Sequence, residues 1–110
     1  MAEYKHYITQ TQENGNVMIS EDVVAAIAEH ALNDVEGAAL LRDIKNWNKG
    51  IKILIAEDNS VAISMNITVT FGYCVVEVAA NAQTAVTASV ENRTGVKVSE
   101  VNVNICGIAK

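Results

Sequence analysis

The eleven residues Val61-Ala62-Ile63-Ser64-Met65-Asn66-Ile67-Thr68-Val69-Thr70-Phe71 decide the fold. Val61, Ile63, Met65, Ile67, Val69 and Phe71 alternate with Ala62, Ser64, Asn66, Thr68 and Thr70. Successive side chains of a strand point to opposite faces, so period two over this length predicts a long strand with one covered face and one wet face. Just upstream, Ile51, Ile53 and Ile55 alternate with Lys52 and Leu54, and Glu57-Asp58-Asn59-Ser60 reads as the turn of a hairpin. Downstream, Val101, Val103 and Ile105 alternate with Asn102 and Asn104 and predict the last strand.

Two helical patterns flank these strands. Ser20 opens the first, with Glu21 and Asp22 placed to complement the free N–H groups of the first turn. Val23, Val24, Ile27, Ala28, Ala31 and Val35 then recur at helical spacing, and Gly37 ends the segment. The second helix is expected from about Cys74 to Arg93, with Val75, Val78, Ala79, Ala82, Val86 and Val90 inward and Gly95 as its C-terminal cap. Short strands are expected at 16–19 and 38–41, and a polar loop at 43–49. Residues 1–14 are pattern-poor and are expected to form a flexible N-terminal arm ahead of one domain over 15–110. The resulting order is β-α-β-β-β-α-β. Two amphipathic helices and strands with one apolar face give an α+β two-layer sandwich, with both helices on one face of a mixed sheet.

Composition supports one self-sufficient domain. The chain has 110 residues, half of them apolar and 19% charged, and buries enough surface to need no staples. Its net charge of −5 argues against nucleic acid or an anionic membrane as a general partner. No basic leader precedes an apolar stretch, and the run Val23–Ala28 is too short to cross a bilayer, so a cytoplasmic protein without direct membrane insertion is expected. Cys74 and Cys106 fit that compartment as free, buried thiols.

Reactive constellations are not evident. His6 and His30 belong to no motif, the two cysteines lack metal-ligand spacing, and Gly72 and Gly95 stand alone rather than in a phosphate loop. No catalytic, metal or cofactor-binding residue is therefore assigned. Three surfaces remain as candidates for contact. The wet sheet face carries Asn66, Thr68, Asn102 and Asn104, which suit protein packing and lack the aromatic platform on which RNA-binding sheets stack bases. Trp47 lies among Arg42, Lys45, Lys49 and Lys52, either as an exposed anchor or folded over an aromatic-poor core. Glu77 and Asn81 share a helix face, either as a ligand-orienting pair or as an ordinary first-turn carboxylate with a neighbour.

The segments GNVMISEDVVAAIAEHALNDVEGAA, NKGIKILIAEDNSVAISMNITVTFGYCVVEVAANAQTAV and VENRTGVKVSEVNVNICGIA, over about residues 15–109, resemble the alkaline shock protein family of bacterial envelope-stress proteins. The most recognisable helix motif of that family falls on Glu77, Val78, Ala79, Asn81 and Gln83. Relatives commonly carry Ile-Pro before that Glu, where this chain has Val75-Val76. A proline there would pre-set the first helical turn, so its absence weakens the start of the helix without changing the fold. The resemblance implies a non-enzymatic cytoplasmic protein of cell-envelope homeostasis that forms homo-oligomers. It also implies recruitment to the inner face of the membrane by an envelope- or membrane-anchored protein partner. Control of fatty-acid synthesis at the acetyl-CoA carboxylase step is the alternative that another branch implies, and a small-molecule-binding domain is a third reading.

Overall fold

Alternation over 61–70 becomes the central strand of a four-stranded sheet because its odd-numbered side chains are completely enclosed. The computed structural model describes residues 7–40 and 50–109. Along the chain it places β1 (Tyr7–Gln12), β2 (Gly15–Ser20), α1 (Glu21–Asn33), β3 (Ala38–Leu40), β4 (Ile51–Ile55), β5 (Val61–Thr70), α2 (Val75–Thr94) and β6 (Val98–Ala109). The α+β class and the helix-covered sheet agree with the sequence reading, with one strand added at the start.

On one side, β5 pairs antiparallel with β4 (Ile51 opposite Met65, Ile55 opposite Val61) and then with β3 (Leu40 opposite Ile67). These two short strands lie end to end on the same edge. On its other side β5 pairs in parallel with β6 over its whole length, so the sheet is mixed. Val61, Ile63, Met65, Ile67 and Val69 are all inaccessible to water. Helix α1 covers them with Val24, Ala25, Ala28, Ala31 and Leu32, and α2 with Val78, Ala82, Val86 and Val90. Alanine at many of these contacts lets both helices lie close to the β-branched floor.

Four features depart from the sequence reading. Residues 7–12 of the expected loose arm form β1, paired with β2 around a Glu13-Asn14 turn, and Ile8 of β1 is fully buried. One apolar anchor in a polar hexapeptide leaves no period to detect. The hairpin is tied down by side-chain amides instead. Asn59 Nδ2 donates to the Thr9 carbonyl at 3.2 Å, and Gln10 Nε2 donates to the Thr94 carbonyl at 2.6 Å. Second, α1 stops at Asn33 rather than at Gly37. The Asp34 N–H bonds to the Ala31 carbonyl and the Val35 N–H to the Leu32 carbonyl, and these turns keep Val35 in the core.

Third, β5 ends at Thr70, so Phe71 does not join the covered face. It lies in the turn to α2 and is 73% exposed. Fourth, β6 runs from Val98 to Ala109, well beyond 101–105. Register shifts opposite Val61/Ala62 and Ile67/Thr68 break its period at both ends, and Gly107 lies at the second shift.

The two faces of β5 should answer differently to truncation. Ile63→Ala should lower unfolding free energy by about 2–5 kcal/mol, whereas Thr68→Ala should stay within about 0.5 kcal/mol. Urea titration of both variants measures the contrast. Asn59 has a left-handed φ of 68°. Asn59→Gly keeps that backbone accessible while deleting the amide, and should cost about 1 kcal/mol. Its signature is faster hydrogen exchange at the β1 amides with little change at β5.

Candidate interaction surfaces

The sequence candidates do not converge on one site. Asn66, Thr68, Asn102 and Asn104 lie on the uncovered face of the sheet, as the alternation requires. Asn104 Nδ2 donates to Asn66 Oδ1 at 3.1 Å, linking β6 to β5 across the ladder. Asn102 Nδ2 donates to Glu100 Oε2 at 3.0 Å along its own strand. Thr68 is half-buried opposite Gly107. This face carries short amides and hydroxyls, with Asn104 and Asn66 bonded to each other and Asn102 to Glu100.

Glu77 and Asn81 are exposed on the first turns of α2, a different element from the sheet amides. An open groove of about 420 Å³ does lie on α2, but Gln83, Thr84, Thr87, Ala88 and Glu91 line it, not Glu77 or Asn81. Two of these residues reach from the helix to the outer strand. Gln83 Nε2 donates to the Val101 carbonyl at 3.1 Å, and Glu91 Oε2 accepts the Val98 N–H at 3.1 Å. The groove therefore lies on the flank of α2 that reaches toward β6. Trp47, Lys45 and Lys49, with Arg42, lie outside the described residues.

Cys74 and Cys106 are free, and both are exposed rather than buried. Cys74 takes the extended conformation before α2, and Cys106 points away from the core on β6. Among the described residues no cluster of three or more His, Cys, Asp or Glu could hold a metal ion, and no helix is long and apolar enough to cross a membrane. Among the described residues, Asp58 is the one carboxyl with a resolved shift. Its Oδ1 accepts from the Ser60 hydroxyl at 2.7 Å and the Ser60 N–H at 3.0 Å, and these bonds hold it below the usual carboxylate range. That arrangement fixes the β4–β5 turn.

The sequence reading missed the apolar residues left in water at one end of the sheet. Phe71 and Val76 are each about three-quarters exposed, and Tyr73 and Ile108 about half. The Phe71 N–H donates to the Ala109 carbonyl at 2.7 Å, which holds the turn against the end of β6. Gly37 sets the position of Tyr73. With φ at +83°, a Cβ on Gly37 would lie 2.7 Å from the Tyr73 Cγ. The available signal was Phe71-Gly72-Tyr73, where aromatic residues flank a glycine in a chain poor in aromatics.

The model of the alkaline shock protein family, a family of cell envelope-related function, matches residues 9–110. The chain is 31% identical to uncharacterized protein YqhY of Bacillus subtilis over 105 residues, 86% of this chain and 77% of that one. It is likewise 31% identical to uncharacterized protein YloU of the same organism over 107 residues, 86% of this chain and 88% of that one. Uncharacterized protein Spy1535 of Streptococcus pyogenes is 29% identical over 106 residues, 89% of this chain and 82% of that one. No solved structure matches significantly.

Gly37→Ala tests the aromatic turn. The strained φ and the clash with Tyr73 should lower stability by about 1–3 kcal/mol. Adding Tyr73→Ala should return part of that loss in a urea titration, which a purely backbone effect would not allow.

Proposed function

The chain belongs to the alkaline shock protein family, whose function is cell envelope-related, and from that premise we propose that it is a non-catalytic protein-interaction module. In this reading it assembles with itself and docks on an envelope-associated protein, which brings it to the inner face of the membrane. The observation that carries the reading is the set of large apolar side chains in water around the β5–α2 turn, Phe71 and Val76 above all. Burying a side chain of that size is worth about 1.5–3 kcal/mol, and apolar surface gathered in one place marks a contact site. The chemistry of the other accessible surfaces agrees. Amides, hydroxyls and aliphatic groups dominate the sheet face and the α2 flank, and these suit packing between proteins.

Recruitment by a protein rather than by lipid follows from charge. A net −5 chain is repelled by an anionic bilayer, so the free protein should not float with anionic vesicles. Two measurements test the proposal together. Light scattering on a sizing column should give a mass that is a multiple of 11.8 kDa. Crosslinking in intact cells should join the chain to a membrane-anchored protein, and Phe71→Ser with Val76→Ser should abolish that adduct. A strict monomer that captures no membrane-fraction protein would sink the idea.

A further inference from the structure

Strand β6 has a free edge, and its pattern is self-complementary. Among the described residues only β5 hydrogen-bonds it, and α2 packs above it. The Asn66 N–H donates to Gly50 on the β4 side, so the odd-numbered residues of β5 turn their peptide groups toward β6. In a parallel ladder, the residue opposite each of these is bonded through its two neighbours. Val101, Val103 and Ile105, opposite Ile63, Met65 and Ile67, therefore direct their own N–H and C=O groups to the open side. The Gln83 amide confirms this direction, since it reaches the Val101 carbonyl from α2.

Both layers are unsealed along this edge. In the strand layer the side chains of Val101, Val103 and Ile105 are only partly buried, and Ile108 is half-exposed. In the helix layer the flank beside the edge carries exposed Val76, Ala80, Thr84 and Ala88, small enough for a second helix to approach closely. No charged side chain occurs from Val101 to Ala109.

We propose that two copies of this chain join antiparallel through their β6 edges, about a two-fold axis at Val103. In this register Val103 exchanges both peptide hydrogen bonds with Val103 of the other copy. Val101 bonds Ile105 of the other copy, once Gln83 releases the carbonyl. Asn102 faces Asn104 across the uncovered side, and each Glu100 faces an uncharged Cys106, leaving the two carboxylates about 20 Å apart. The size is adequate. Val101 to Ile105 pair regularly between the two irregularities, and with the flanking strand ends and the helix layer the contact is about 30 Å long and about 20 Å deep. That covers roughly 1,200 Å² in total, the lower bound of a stable interface. A second copy is the occupant that meets the edge with matching apolar and amide rows and no like charge. The inference rests on the self-association reading above and gives it a location.

The test uses the full chain with Cys74→Ser and Cys106→Ser. Asn102→Cys and Asn104→Cys are introduced into separate preparations, which are oxidised singly and as a mixture. A disulfide-linked dimer of twice 11.8 kDa is expected in the mixture, with little from either preparation alone. Val103→Pro removes one outward N–H, and should halve the mass in light scattering while far-UV circular dichroism is retained. Thr84→Arg, an exposed change on the helix flank, should do the same and serves if the proline variant does not fold. A wild-type monomer at high concentration would overturn the inference and the self-association reading together. A dimer that ignores Thr84→Arg and gives no mixed disulfide would overturn the β6 site alone, leaving self-association standing elsewhere.

Discussion

Enclosure of one face of β5 is the constraint on which the other elements depend. Five aliphatic side chains, Val61 to Val69, have no contact with water, and each must be covered by something. Neither helix alone spans a ten-residue strand together with its neighbours, so α1 and α2 lie side by side and pack on each other. Ala25, Ala28, Ala31 and Ala82 at those contacts keep the layers close, and β-branched residues on the floor suit the pleat. Where a polar side chain enters this core, it is satisfied locally. The Thr94 hydroxyl donates to the Val90 carbonyl at 2.6 Å and accepts the Val96 N–H at 3.3 Å. Thr94 thereby carries the chain out of α2 and into β6 without leaving an unpaired group in the core.

The periphery is held by different chemistry. The β1–β2 hairpin is a separate sheet, and Ile8 is its apolar plug. Its other described ties are amide side chains acting on backbone, Asn59 on Thr9 and Gln10 on Thr94. The left-handed backbone at Asn59 aims its amide along the edge of β1, much as another strand would. Such bonds fix position more than they add stability, because each replaces a bond to water. The hairpin is thus specified by two or three contacts, whereas the sheet is specified by a continuous pattern.

This difference explains what could be read from the sequence. The β4–β5 hairpin, α2 with its Gly95 cap, and the division of β5 into covered and wet faces follow from periodicity, which repeats over enough residues to be unambiguous. The hairpin at the start was invisible because Asn59 and Thr9 are fifty positions apart and no period links them. Phe71 was assigned to the covered face because alternation alone does not show where a strand ends. The Gly72 turn, with φ at +102°, ended the strand one residue early. Of the candidate site, the outward amides were placed correctly by parity. The α2–β6 seam was not, since it depends on which strand occupies the edge, and a parallel crossover fixes that only in three dimensions.

The state of that edge is itself informative. Proteins that stay solitary blunt exposed strands with charge, proline or bulges. Strand β6 has irregularities at both ends, opposite Val61/Ala62 and Ile67/Thr68, yet its middle from Glu100 to Ile105 is regular, without proline or lysine. Among the described residues, the guard on that middle is Gln83, whose amide bonds the Val101 carbonyl, while Glu91 bonds the Val98 N–H just before it. A side-chain amide near the surface gives up its bond at little cost when a better-aligned peptide group arrives. An edge whose ends are irregular and whose centre is covered only by exchangeable bonds limits where pairing can start while leaving it allowed. Phe71, Tyr73, Val76 and Ile108 add exposed apolar surface where β5 turns into α2 and β6 ends.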